Sequence, residues 1–136
     1  QLLLAHGASR CNFDTMHVFE GAPADASTEQ AQARKPRLPR RAVVAGGAAF
    51  VRFVGGNAVE LAREALDFWV ERVGAWLGEG REVYFFTHTP DDAHAPQLAR
   101  LFHSMLREQL AGLAPLAPFS GESEVPREAP QRDLFG

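Results

Sequence analysis

The chain has 136 residues, 46% hydrophobic and 23% charged, a composition that fits a globular domain and excludes a fibrous or wholly disordered chain. Its net charge of −3 argues against a protein that binds nucleic acid over its whole surface, while leaving room for a local basic patch. The longest nearly apolar stretch, Ala42 to Val51, is too short and too rich in glycine to cross a bilayer, and the single Cys11 excludes an internal disulfide and suits the cytoplasm.

The opening residues, with Leu2, Leu3 and Leu4 followed by Gly7, have the pattern of a helix C-terminus with a glycine stop. No basic residue precedes that leucine run, so it does not have the form of a signal peptide. A chain that opens on the end of a helix either lacks the N-terminal half of its fold or is a smaller α/β unit standing alone; the fragment is the favoured expectation. Arg10 to Asp14 is a short strand. A long polar connection follows from Glu20 to Arg41, with a brief helix opened by Ser27 and Gln30 at capping-box spacing. Ala49 to Val54 is the second strand, stopped by Gly55-Gly56. Asn57 is then placed to cap a helix whose apolar stripe runs through Ala62, Leu66, Trp69, Val73, Trp76 and Leu77, and which Gly78 and Gly80 end.

The most informative stretch is Arg81 to Leu101. Val83 to His88 is rich in β-branched and aromatic residues and follows Gly80. The run breaks at Thr89-Pro90-Asp91-Asp92 and resumes as a helix with apolar residues at Leu98, Leu101, Phe102 and Met105. Polar and titratable side chains thus gather where a strand ends, which is where α/β proteins keep their sites. From Ala114 the apolar period stops and prolines accumulate, as in a flexible, partly extended tether.

Several of these segments carry a family resemblance. NFDT (12–15), KPRLP (35–39), VRFVGGN (51–57), the helix with Trp69 and Trp76, and VYFFTHTPDDAHAPQLARLF (83–102) resemble the C-terminal part of the YecE-like family, domain of unknown function 72. The resemblance covers roughly residues 1–113 and implies the C-terminal portion, about three strands, of a parallel (β/α) TIM-type barrel. Residues 114–136 would then be a disordered, proline-rich tail ending in QRDLFG. A complete barrel takes about 250 residues. Many relatives carry an Asn-Asn pair where this chain has Thr87-His88. The family implies no established activity, so whether the chain is an enzyme stays open.

Within a barrel, alternation sorts strand side chains between the interior and the helix-facing exterior. Asn12, Asp14, Arg52, Tyr84 and His88 are expected to converge inward, towards the C-terminal mouth. Asp14 is the candidate base or ligand, Arg52 the anion clamp, and His88 an acid–base group or ligand. The rival reading makes Asp14 and Arg52 a structural ion pair filling the lumen. His88, Asp91, Asp92 and His94 have residue types that suit a divalent metal, against the plainer role of Asp92 as a helix cap. Arg34, Lys35, Arg37, Arg40 and Arg41 put five cations into eight residues, held extended by Pro36 and Pro39, and suit an anionic ligand or a solubilising loop. Cys11 is expected to pack in the core, as are Trp69 and Trp76; His6, His17 and His103 are expected to be surface or packing residues.

The chain end is a different kind of signal. Gln131-Arg132-Asp133-Leu134-Phe135 resembles the Q-x-x-L-F peptide with which bacterial replication and repair proteins hold the DNA sliding clamp, although Arg132 stands where Leu is commoner. Gln131 would supply hydrogen bonds, and Leu134 and Phe135 two adjacent apolar anchors, at the end of a tether. The two function classes are therefore a barrel protein of uncharacterised activity, open to catalysis on an anionic or nucleic-acid-derived substrate, and a non-catalytic adaptor for the sliding clamp. A third, plainer option is a fragment with no function of its own.

Overall fold

Three apolar runs become parallel neighbours because the connection after each of the first two crosses back over the same face. A computed structural model of the chain describes residues 2–120. β1 (Cys11–Asp14), β2 (Ala48–Val54) and β3 (Glu82–His88) form a three-stranded sheet in that order, with both pairings parallel. The short helix α1 (Leu2–Ala5) ends at Gly7, whose φ of 62° is the left-handed stop expected of glycine. Helices α3 (Arg63–Gly78) and α4 (Ala95–Gln109) pack on one face of the sheet. Gly80, with φ 75°, turns the chain from α3 into β3.

The apolar periods explain which face of each helix turns inward. α3 buries Leu66, Trp69, Val70, Val73 and Trp76, and α4 buries Leu98, Leu101, Phe102, Met105 and Leu106, against Val51 and Phe53 of β2. Each of these large side chains contributes about 1.5–3 kcal/mol by leaving water. Gly55 lies close under the same packing: a Cβ there would stand 2.7 Å from Leu98 Cδ2, so the buried Leu98 side chain would have to shift.

The connection from β1 to β2 departs from a simple helical crossover. A 3-10 turn (His17–Phe19) and α2 (Ala26–Arg34) lie near the C-terminal end of β2, where Val18, Ala31 and Val54 make a small second core. The chain then returns extended past β1. Thr15 Oγ1 donates to Pro36 O at 2.7 Å and accepts from Leu38 N at 3.3 Å. Asn12 bonds Val43 through both main-chain groups, as a neighbouring strand would. Ala42 and Val44 pack against the main core from this segment.

Two capping expectations are corrected. Asp25, not Ser27, caps α2: its Oδ1 accepts from Thr28 N at 2.7 Å, and Ser27 donates to the same oxygen. Asn57 caps no helix, because a 3-10 turn (Val59–Ala62) intervenes and α3 starts without a side-chain cap.

Parallel register puts paired residues on one face. Asn12, Val51 and Phe85 share the helix-covered face, as do Asp14, Phe53 and Thr87. Cys11, Phe50 and Tyr84 lie on the opposite face with Phe13, Arg52 and Phe86. No described helix covers most of that second face: Phe86 is 53% exposed, and Cys11 is exposed where core packing was expected. Among the described residues β1 and β3 each pair with β2 alone, so both outer edges are open. No described helix is long and apolar enough to cross a membrane.

Candidate functional site

Asp14 and Arg52 do not meet. The expected pair fails because strand alternation sends them to opposite faces: Phe13, not Asp14, is the register partner of Arg52. Asp14 is 1% exposed and turns towards α3. Its Oδ2 accepts from Trp69 Nε1 at 2.7 Å and from Arg40 Nε at 2.7 Å, and its Oδ1 accepts from Met16 N at 3.0 Å. A buried carboxylate is tolerated only when paired and hydrogen-bonded, and these donors satisfy it. Asp14 therefore ties β1 to α3 and to the extended return segment, and is not presented to a ligand as a base.

The uncovered face offers other groups at the C-terminal end of the sheet. Arg52 is exposed, with its guanidinium 5.4 Å from the centre of the Phe13 ring. Among the described residues no carboxylate lies within salt-bridge reach of it. His88, at the end of β3, holds Asp92 through Nδ1 at 2.9 Å, which leaves Nε2 as the nitrogen available to a ligand. Partial burial lowers the His88 pKa below its ordinary 6.5; Lys35 and Arg52 add to the lowering, and Asp92 partly opposes it. The charges of Lys35 and Arg52 thus act on one imidazole, over a floor that includes Phe13 and Phe86.

Asn57 holds the loops around this end together. Its Nδ2 donates to Asp25 Oδ2 at 2.9 Å and to Ser27 Oγ at 2.8 Å, while its Oδ1 accepts from Asp91 N at 2.9 Å. One side chain thereby links the start of α2, the turn after β2 and the loop after β3. Hydrogen bonds from Ser27 and Thr28, with the one from Asn57 Nδ2, hold the Asp25 carboxyl far below the ordinary carboxylate range.

The remaining candidates disperse. The five expected anion-binding cations are divided: Arg40 is committed to Asp14 and lies 5.2 Å from the Phe68 ring centre, Arg41 lines a groove with Arg10 and Phe13, and Arg34 and Arg37 are exposed. Lys35 is the one whose charge acts on His88. Among the described residues no three His, Cys, Asp or Glu side chains gather where they would hold a metal, so His88, Asp91, Asp92 and His94 do not form the expected ligand set. Asp91 instead caps the 3-10 turn Asp92–His94 through Ala93 N. His17 is buried, bonded to Glu20 at 3.0 Å and stacked on Phe53. Gln131, Leu134 and Phe135 lie outside the described residues.

The two lowered histidines set a pH dependence. Burial is the first cause for His103 as for His88, with Arg107 adding to it. A histidine whose folded pKa is depressed disfavours the proton in the native state, so its stabilisation is complete above 6.5 and is lost as pH falls from there through the folded value. The urea midpoint should therefore drop between pH 7.5 and 5.5, and His88→Gln together with His103→Gln should flatten that slope. An unchanged slope in the double variant would contradict the assignment.

Comparison with known proteins identifies a family. The model of the family described as "Protein of unknown function DUF72" matches residues 1–122. The chain is 31% identical over 114 residues to the UPF0759 protein YecE of Escherichia coli (strain K12), which covers 82% of this chain and 42% of that protein. It is 30% identical to the UPF0759 protein YecE of Escherichia coli O157:H7 over the same shares. The chain thus spans less than half the length of the curated relatives it matches. No solved structure gives a significant match. The chain belongs to the family of proteins of unknown function DUF72.

Proposed function

We propose that the sheet is the C-terminal portion of a parallel β/α barrel and that its uncovered face, the barrel interior, binds an anionic substrate at the C-terminal mouth. The observation that carries this reading is the exposed Arg52, without a carboxylate partner among the described residues, beside a His88 that already feels the charges of Arg52 and Lys35. Side chains at the C-terminal ends of barrel strands are the ones that reach substrate in this architecture. Arg52 clamps the anion, Lys35 adds a second charge, and His88, oriented by Asp92, exchanges a proton through Nε2. A phosphate group fits these donors, whether free or carried by a nucleic-acid-derived compound. Asp14 has no part in this chemistry.

The test is a titration of inorganic phosphate against the protein, following the His88 ring by NMR. A bound phosphate places negative charge beside the imidazole, so the His88 pKa should rise, and Arg52→Gln should weaken binding about tenfold by removing a charged hydrogen bond. A His88 titration indifferent to phosphate would refute the site.

A second reading rests on the sequence of the chain end alone. Leu134 and Phe135 are two large apolar residues after a proline-rich stretch, with Gln131 at the spacing of a clamp ligand. A peptide of residues 130–136 should bind the bacterial sliding clamp at micromolar strength or weaker, about −8 kcal/mol at best. Absence of affinity by fluorescence anisotropy, or equal binding after Leu134→Ala and Phe135→Ala, would remove the adaptor function.

A further inference from the structure

The extension after α4 has a three-residue repeat that neither the fold nor the proposed site uses. Leu113-Ala114-Pro115-Leu116-Ala117-Pro118-Phe119 places a large apolar residue at every third position, with proline between them. Three residues per turn is the period of a polyproline II helix, whose φ proline already supplies. The segment forms no helix or strand, yet Leu113, Leu116 and Phe119 all line one cavity of about 380 Å³. The other walls of that cavity are Leu77 of α3, Val83 and Phe85 of β3, and Phe102 and Leu106 of α4.

The polar contacts run in step with the apolar ones. Arg107 Nε donates to Leu113 O at 3.1 Å, and Arg100 donates through Nη2 to Ala117 O at 3.2 Å. Arg100 also lies 4.7 Å from the Phe119 ring centre, and His103, between the two arginines on α4, interacts with the backbone of Ala114. Residues 100, 103 and 107 share one helical face, so α4 presents a row of donors to the backbone of Ala117, Ala114 and Leu113 in a strap that runs antiparallel to it. This is the division of labour by which polyproline segments are recognised: apolar slots take every third side chain, and donors on the rim take the exposed carbonyls. The seating is incomplete, since Leu116 is 38% and Phe119 36% exposed while the cavity stays open between strap and floor.

We propose that the groove between β3, α3 and α4 is a binding groove for an extended apolar peptide with proline spacing, and that residues 113–119 are its resident occupant in cis. The strap shields the open side of β3. Because it is only partly buried, a peptide of the same spacing exchanges with it. The inference is independent of the anion site, which lies on the opposite face of the sheet.

The experiment uses the full 136-residue chain and a fluorescein-labelled peptide with the sequence of residues 113–120. A resident occupant lowers the apparent affinity by the fraction of molecules in which the groove is free. Leu116→Asp with Phe119→Asp should release the strap and bind the peptide at least about tenfold more tightly than the unaltered chain, with binding weakened again by adding Arg107→Ala. Circular dichroism checks that the variant is folded; if it is not, Phe119→Asp alone is compared in the same way. Equal binding by variant and unaltered chain, or no binding by either, overturns the proposal.

Discussion

Everything above the sheet depends on a carboxylate that has no access to water. Asp14 sits at the end of β1, almost fully buried, and receives an indole N–H from α3, a guanidinium from the return segment and a main-chain N–H from the next turn. A charge in that position is costly without partners, so each donor is held where Asp14 needs it. Trp69, central to α3, therefore sets the height of that helix over β1. Arg40 draws the segment after Pro39 back along the strand, where Asn12 bonds Val43 in the manner of a neighbouring strand. A short edge strand of four residues thus acquires three-dimensional anchorage that its own ladder does not provide.

The same constraint decides what is left for binding. Since Asp14 belongs to the helix-covered face, strand alternation commits Phe13, Arg52 and Phe86 to the other one. Arg52 is consequently released from the pairing with Asp14 and stands among aromatic side chains, close enough to His88 to influence its proton. The chain covers less than half of the relatives it matches, and both edges of its sheet are open among the described residues. The barrel reading proposed above takes this aromatic and cationic sheet face as its interior.

The helices were legible because their signal is local. The stripes through Leu66, Trp69, Val73 and Trp76 and through Leu98, Leu101, Phe102 and Met105 became the buried faces of α3 and α4. Alternation also grouped the strand residues correctly, Asn12 with Asp14 and Tyr84 with His88. It does not say which group faces the helices, and in β1 the apolar pair Cys11 and Phe13 points to the uncovered face while the polar pair is buried. What reverses the usual rule are partners 26 and 55 residues away, Arg40 and Trp69, which no local pattern announces. Asn57 was misread for the same reason. Its position after a Gly-Gly stop is that of a helix cap, but its partners are Asp25, Ser27 and Asp91. Only the apolar spacing of Leu113, Leu116 and Phe119 was present locally and passed over, because prolines at that density read as a tether.

The most direct measurement of the account is a double-mutant cycle in urea between Asp14→Ala and Trp69→Phe. If the buried carboxylate and the indole N–H are the anchor described, the two losses overlap and the cycle returns a coupling of about 1–3 kcal/mol, as expected for a hydrogen bond to a charged, buried acceptor. Strictly additive losses would show that Asp14 is held by something else, and the division of the sheet into an anchored and an uncovered side would lose its cause.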